Sequence, residues 1–327
     1  QNSMTVMSRA DPPAYYAPLL APAGAGGTAL DAQTLAVLAR VERFTVHQRV
    51  TSAEVATCGC CEQPNSYAII DAASATPIMV AEERSGDIER CCCAPNHSLM
   101  LDVFAIGPYG TRTAQVMTIE RAGCSRKPGL CCPACGPCCA DRATVHAGRV
   151  EGWAGEVGTQ RALLVVQQSA VCDACLHPTV SVMERAGGRF ERYASVSGPC
   201  CFGGCSELCF DVPFVAHDGR AAIAKLHPRS LSAALRELVS DSDAYEVALR
   251  DPSWTAQQRA GLLSAALLLD YMFFERNGDA IKCEDGARKC NCCNVYLCGC
   301  VLPCKCDCSC QRGGSGGGGE RRAGGRR

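Results

Sequence analysis

Residues 131–139, CCPACGPCC, concentrate five thiols: Cys131, Cys132, Cys135, Cys138 and Cys139. The Cys132-x-x-Cys135-x-x-Cys138 spacing is that of zinc ligands. The Gly and Pro between them mark an exposed loop, which an acyltransferase could also reach. Acylation, a metal and unmodified loop thiols all remain open readings. Cys91, Cys92 and Cys93 form a second run, a secondary candidate for acylation. Ten more cysteines lie between Cys283 and Cys310, several of them alternating as in CKCDCSC. Cys-x-Cys alternation suits thiolate binding of borderline metals such as Zn2+, and it suits multiple acylation equally.

Two other stretches carry chemistry. DSDAYEVALRD begins at Asp241. Carboxylates at its first and third positions, Asp241 and Asp243, suit a hard cation such as Ca2+. Tyr245 or Val247 would then add a backbone carbonyl, and Asp251 a further carboxylate. Glu246 stands where an EF-hand loop needs Gly, and no Glu closes the loop at its twelfth position. The competing reading is a strand edge with solvated acids and Asp251 as a helix cap. DPPAY contains Pro12, Pro13 and Tyr15 in a PPxY pattern, a polyproline II ligand for WW domains or simply part of a disordered arm.

Several chemistries find no support. The net charge of −1 excludes a broad electrostatic attraction to nucleic acid. No G-x-x-x-x-G-K-[ST] loop is present to hold a nucleotide, and the one G-x-S-x-G string, GGSGG at 313–317, sits in a glycine run without the strand and helix that make a nucleophile elbow. The six histidines are scattered, and His47 reads as a strand-face residue. The first thirty residues lack the charged start and apolar core of a signal peptide, so the thiols are expected to stay reduced, as acylation sites, metal ligands or buried small hydrophobes, with disulfides the minority reading.

What elements hold these residues? The run LLSAALLLDYMFFE begins at Leu262 and is apolar on every side. The full apolar run, Ala260 to Phe274, would as a helix reach only about 22 Å, against the roughly 30 Å of a bilayer core. Asp270 interrupts it, and a carboxylate in hydrocarbon costs roughly 3 kcal/mol or more. A helix apolar all round must nonetheless be buried, so protein is expected to wrap it over about 252–275. Leu262, Leu263, Ala266, Leu267, Asp270, Phe273 and Phe274 would then all be interior, with Asp270 at a barrel end or bonded to backbone. Asp251 with Pro252 offers one N-terminal cap, and Thr255 with Gln258 an alternative capping box.

The wrapping is supplied by short strands. ERFTVHQRV, SYAIID, PIMVAEE, SLMLDVFAI, AQVMTIER, ALLVVQQ, TVSVMER, RYASVSG, LCFDVPFV, AAIAKL and YEVAL follow a strand-like pattern between turn signals. About a dozen strands predict a closed antiparallel barrel or a sandwich, and a closed sheet of that size has room for a central helix. A short helix near LDAQTLAVLAR should precede the first strand.

FTVHQRV, NSYAIID, VAEE before a Cys cluster, TIER before a second cluster, SGPC and LLLDYMFFE occur in an order that resembles the phospholipid scramblase family. The resemblance covers about Leu30 to Glu275. It implies a mainly β, Tubby-like barrel of twelve strands around a buried C-terminal helix. It also implies palmitate on the Cys131–Cys139 cluster, a calcium segment at Asp241, and a membrane-associated protein. That protein would sit on the cytoplasmic face, at the plasma membrane, and move phospholipids between leaflets without ATP. A rearranged or oligomeric state would be needed to give headgroups a path. The alternatives are a lipid-anchored binding module that moves no lipid and a metal-binding Cys-rich protein. The expected organisation is a Pro-rich arm over 1–29, the barrel over 30–276, a Cys-rich extension over 277–311 and a Gly/Arg-rich tail over 312–327.

Overall fold

The computed structural model describes residues 29–49, 64–93, 96–107, 110–123, 139–153, 161–170, 174–230, 243–275, 281–284 and 287–307. Twelve strands close into an antiparallel barrel. They are β1 (Arg43–Arg49), β2 (Ser66–Asp71), β3 (Thr76–Arg84), β4 (Leu99–Ile106), β5 (Arg112–Arg121), β6 (Arg142–Ala147), β7 (Leu164–Gln168), β8 (Thr179–Ala186), β9 (Arg189–Ser197), β11 (Val212–Ala216), β12 (Ala221–Lys225) and β13 (Ala244–Leu249). The missing number belongs to β10 (Cys201–Phe202), which leaves the ring for a second sheet. β1 closes the barrel by pairing with β2 on one side (Val46↔Ile69) and β13 on the other (Val46↔Tyr245). The thinnest seam lies between β9 and β11, where only Val215↔Ser197 and Ala216↔Val196 are paired.

Period-two alternation decides which side chains enter. Along β12, Ala221, Ile223 and Lys225 are buried while Ala222 and Ala224 are partly exposed. Inward residues such as Val46, Ile69, Val103, Val145, Val166, Val182, Val196 and Val247 are sealed from solvent. They enclose the helix α3 (Ala256–Leu269), whose residues from Arg259 to Leu269 are all buried. Each Leu so buried is worth roughly 1.5–3 kcal/mol.

Two further short helices, α1 (Ala32–Arg40) and α2 (Asp87–Cys93), lie outside the ring. Through Leu38 and its flanking Val41, α1 packs against the start of α3, where the buried Arg259 guanidinium donates to the carbonyls of Val41 (2.5 Å) and Trp254 (3.1 Å). Thr255, not Asp251, caps α3, and with Gln258 it forms the reciprocal capping box. Asp251 instead accepts from Arg220 and from the Ser253 N–H (2.8 Å). The helix therefore starts four residues later than the first cap implied. The reason is that Thr255 can satisfy the Gln258 N–H while Asp251 is held by Arg220.

The cysteine-rich extension forms a sheet. β14 (Ile281–Glu284), β15 (Ala287–Leu297) and β16 (Cys300–Asp307) join β10 in the order β10-β15-β14, with β16 on β15. It meets the barrel at Gly204, where a Cβ would lie 2.3 Å from the Asn291 carbonyl, so only glycine fits. The buried Tyr296 of β15 bonds Gln168 (3.3 Å) and sets its ring edge-on to Phe273, with centroids 6.0 Å apart. The sheet thus covers the C-terminal end of the central helix. Among the described residues, no helix is long and apolar enough to cross a membrane.

Candidate functional site: a buried polar network at the end of the central helix

α3 ends in a π turn over Asp270–Phe274, in which the Glu275 N–H donates to the Asp270 carbonyl (3.1 Å). Turns of this kind are rare and recur at functional sites. Here consecutive residues, Asp270 and Tyr271, enter two halves of one buried polar network.

In the first half, the Asp270 carboxylate accepts from Tyr67 Oη of β2 (2.5 Å) and Tyr245 Oη of β13 (2.5 Å). Tyr245 Oη also lies 3.3 Å from Asp243. Asp243 is 2.9 Å from Lys225 Nζ of β12, which reaches Glu207 on its other side (2.5 Å). Lys225 sits 4.7 Å over the Phe274 ring. Burial alone would pull the Lys225 ammonium down, but the carboxylates of Asp243 and Glu207 outweigh it and hold it above its ordinary range. Asp270 has no such cation beside it. Burial, then the nearby Asp243 charge, raise it to about 7, against the two tyrosine hydrogen bonds and the more distant Lys225.

In the second half, Tyr271 Oη donates to Glu83 of β3 (2.9 Å). Glu83 also accepts from the Asn65 N–H (2.9 Å) and from Ser85, and lies 3.0 Å from His97 Nε2. The Arg90 guanidinium is 3.7 Å away. Burial would raise this carboxyl, but bonds from His97, Ser85 and Asn65 overcome it and lower it. Asn65 carries the network onward by donating to Glu275 (3.1 Å) and accepting from Gln48 (2.9 Å). Glu83, His97 and Glu275 have ligand atoms within 4.8 Å of one another. Glu83 already receives a full set of donors beside a guanidinium, so the cluster reads as a hydrogen-bond hub rather than a cation cage.

The carboxylate of Asp270, expected at a barrel end or bonded to backbone, is bonded to two tyrosine hydroxyls rather than to backbone, because β2 and β13 flank the closing strand β1 and both aim a Tyr inward. Leu262, Leu263, Ala266, Leu267, Phe273 and Phe274 are buried, each at most 4% exposed. The last two pack with Phe202 and Phe214. Asn65, Tyr67, Glu83, Lys225 and Glu207 were not singled out in the sequence. Three of them lie in the segments NSYAIID and VAEE, whose polar letters at strand positions were the available signal.

Of the calcium segment, Asp243 and Asp251 are held apart. Asp241 lies outside the described residues. Asp243 faces inward on Lys225, while Asp251 sits beyond the far end of β13 against Arg220. Eight residues of mostly extended chain put them on the order of 20 Å apart. Tyr245 and Val247 lie within the ladders to β1 and β12. Asp243 and Asp251 therefore do not share one cation. Cys131, Cys132, Cys135 and Cys138 lie outside the described residues, as do Pro12, Pro13 and Tyr15. Cys139 is 1% exposed. Cys91 and Cys92 are exposed and Cys93 partly so, all on α2.

Neither half of the network pairs a nucleophile with a base at an open cavity. A groove of about 400 Å³, lined by Ser169, Thr179, Arg192, Tyr193, Ser195 and His217, lies elsewhere, beside the β9–β11 seam. What the network can do is hold or move a proton and fix the end of the helix.

The Scramblase family profile matches residues 25–276, which contain the whole barrel, α3 and the network. Phospholipid scramblase 1 of Mus musculus is 24% identical over 249 residues, covering 75% of this chain and 65% of the relative. Phospholipid scramblase 1 of Homo sapiens is 25% identical over 248 residues, 75% of this chain and 66% of the relative. Phospholipid scramblase 2 of Bos taurus is 24% identical over 245 residues, 74% of this chain and 71% of the relative. The chain thus spans less than two thirds of the length of the first two relatives. No solved structure matches it. Because the family match over residues 25–276 takes in most of the chain and the whole closed barrel, the chain belongs to the scramblase family.

Proposed function

We propose that this chain associates with the cytoplasmic face of a membrane, the plasma membrane being its site, and moves phospholipids between leaflets without ATP. The support is the match over residues 25–276, which ends where the central helix ends, together with the similarity to phospholipid scramblases 1 and 2. In this reading palmitate on Cys131, Cys132, Cys135 and Cys138, with Cys91–Cys93 as secondary sites, supplies the anchor. Two or more acyl chains hold a protein stably where one does not. The barrel opens at the β9–β11 seam, the weakest part of the ring, where the polar groove would first meet a headgroup.

One observation favours a second reading. α3 is sealed from Arg259 to Leu269 and offers no polar path across it. A lipid-anchored module that binds anionic lipid and moves none fits that geometry.

Reconstitution of the full chain into liposomes with a quenchable lipid in both leaflets separates the two. Accelerated loss of the protected half of the fluorescence, with no nucleotide added, is expected. Binding with no acceleration, in the presence and in the absence of Ca2+, would overturn transport in favour of the module. The calcium arm also tests activation. Because Asp243 and Asp251 do not converge, no step is assigned to the ion.

A further inference from the structure

The cysteine-rich hairpin turns at Cys298 and Gly299, both at positive φ (49° and 84°). That conformation is uncommon for any residue other than glycine. It places Cys298 against the loop that precedes β8. There the Cys298 N–H donates to the Cys175 carbonyl (2.7 Å), and the two Sγ atoms stand 2.9 Å apart. The residues are 123 positions apart in sequence.

A disulfide needs Cα atoms within roughly 7 Å and side chains that face each other. A direct backbone hydrogen bond between the two residues meets the first need, and the facing thiols meet the second. Cys175 is exposed and Cys298 partly exposed, so a small reagent can reach the pair. We propose that Cys175 and Cys298 form an intramolecular disulfide that staples the cysteine-rich sheet to the barrel.

The oxidant is a small-molecule disulfide. The Cys175 thiolate attacks one of its sulfurs, forming a mixed disulfide and expelling one small thiolate. Cys298 then loses its proton to solvent and attacks the Cys175 sulfur, and the second small thiolate leaves. The two expelled thiolates take up the two protons lost, and the two electrons pass from the cysteines to the small disulfide. The hydrogen bond to Cys175 raises the Cys298 thiol above its ordinary range, so exchange quickens as pH rises through the alkaline range. Once closed, the bond holds Tyr296 over Phe273 at the helix end. It also closes a long loop, which restricts the unfolded chain.

The test uses the full chain, reduced and then equilibrated with oxidised glutathione. Remaining thiols are blocked with iodoacetamide, and the chain is digested without reductant. The expected result is a tryptic pair joined through Cys175 and Cys298, located by fragmentation and lost with dithiothreitol. The oxidised chain should melt on the order of 5 °C above the reduced one. C175S should lose most of that difference, and both positions are surface sites where serine leaves the fold intact. Cys175 and Cys298 both recovered alkylated, or joined to other cysteines instead, would overturn the proposal. So would protection of both from iodoacetamide by Zn2+ in the reduced chain with no S–S bond formed on oxidation.

Discussion

Tyr67 and Asp270, separated by 203 residues, are joined by a buried 2.5 Å hydrogen bond from the barrel wall to the end of the helix it encloses. Tyr245 reaches the same carboxyl group from the other side of β1, also at 2.5 Å. A protonated Asp270 could donate to Tyr245 Oη, freeing the Tyr245 proton for Asp243. In that arrangement a carboxyl raised to about 7 keeps both of its tyrosine partners.

The first prediction concerns pH. The unfolded Asp270 carboxyl titrates near its ordinary 3.8 and the folded one near 7. Between these values the folded state keeps a proton that the unfolded state has lost. Asp270 therefore contributes most below the unfolded value, loses stability as pH rises through the window, and levels off above the folded value. The whole change is at most roughly 4 kcal/mol. D270N mimics the protonated form, so urea unfolding from about pH 4 to 7 should show a shallower decline for D270N than for wild type. Parallel curves would refute the assignment.

A second prediction separates breaking an ion cluster from replacing it. K225M leaves Asp243 and Glu207 buried without their shared cation, at a cost of about 3–5 kcal/mol. Replacing all three together, as K225M/E207Q/D243N, should recover most of that loss in chemical denaturation. A single mutant as stable as wild type would count against the cluster.

Gly261 offers a test whose sign runs against helix propensity. Gly to Ala in a helix ordinarily gains up to about 1 kcal/mol. Here the added Cβ would lie 2.1 Å from Tyr193 Oη and 2.9 Å from Val182. G261A should therefore destabilise, by roughly 1–3 kcal/mol as in other overpacked cores. Tyr193→Phe removes the nearest atom, so the double mutant should be more stable than the sum of the singles. Additive thermal shifts would mean the helix and wall do not touch as described.

Membrane retention tests the lipid anchor. Replacing Cys131, Cys132, Cys135 and Cys138 with Ala should release the protein from the membrane fraction after lysis. C139A alone should not, because that thiol is buried. Retention of the four-site variant would place the anchor elsewhere.

Eleven of the barrel's twelve strands could be read from alternation and turn residues. The one overlooked, β6, is RATVHA, in which only Val145 is a large apolar residue and small alanines fill the other inward places. Apolar patterning alone does not register such a strand. The cysteine-rich sheet was illegible for a related reason: cysteine is small, moderately apolar and chemically versatile, so its runs suggest ligands and lipids before they suggest strands. The start of the helix was ambiguous because Asp251 and Thr255 both carry capping oxygens. Only the neighbouring Arg220 settled which was free to cap.

The residue pattern by itself pointed to a barrel or a sandwich of about a dozen strands and to the burial of a short all-apolar helix; the family resemblance supplied the choice of barrel and its approximate limits. The strand count and the buried helix follow from local periodicity and from lengths that physics compares directly with a bilayer. The tertiary structure decided which polar groups meet: Tyr67 with Asp270, Tyr271 with Glu83, Lys225 with Asp243, and Cys175 with Cys298. Those pairings depend on strand register and on the closing of the ring. Neither leaves a mark in the spacing of residues along the chain.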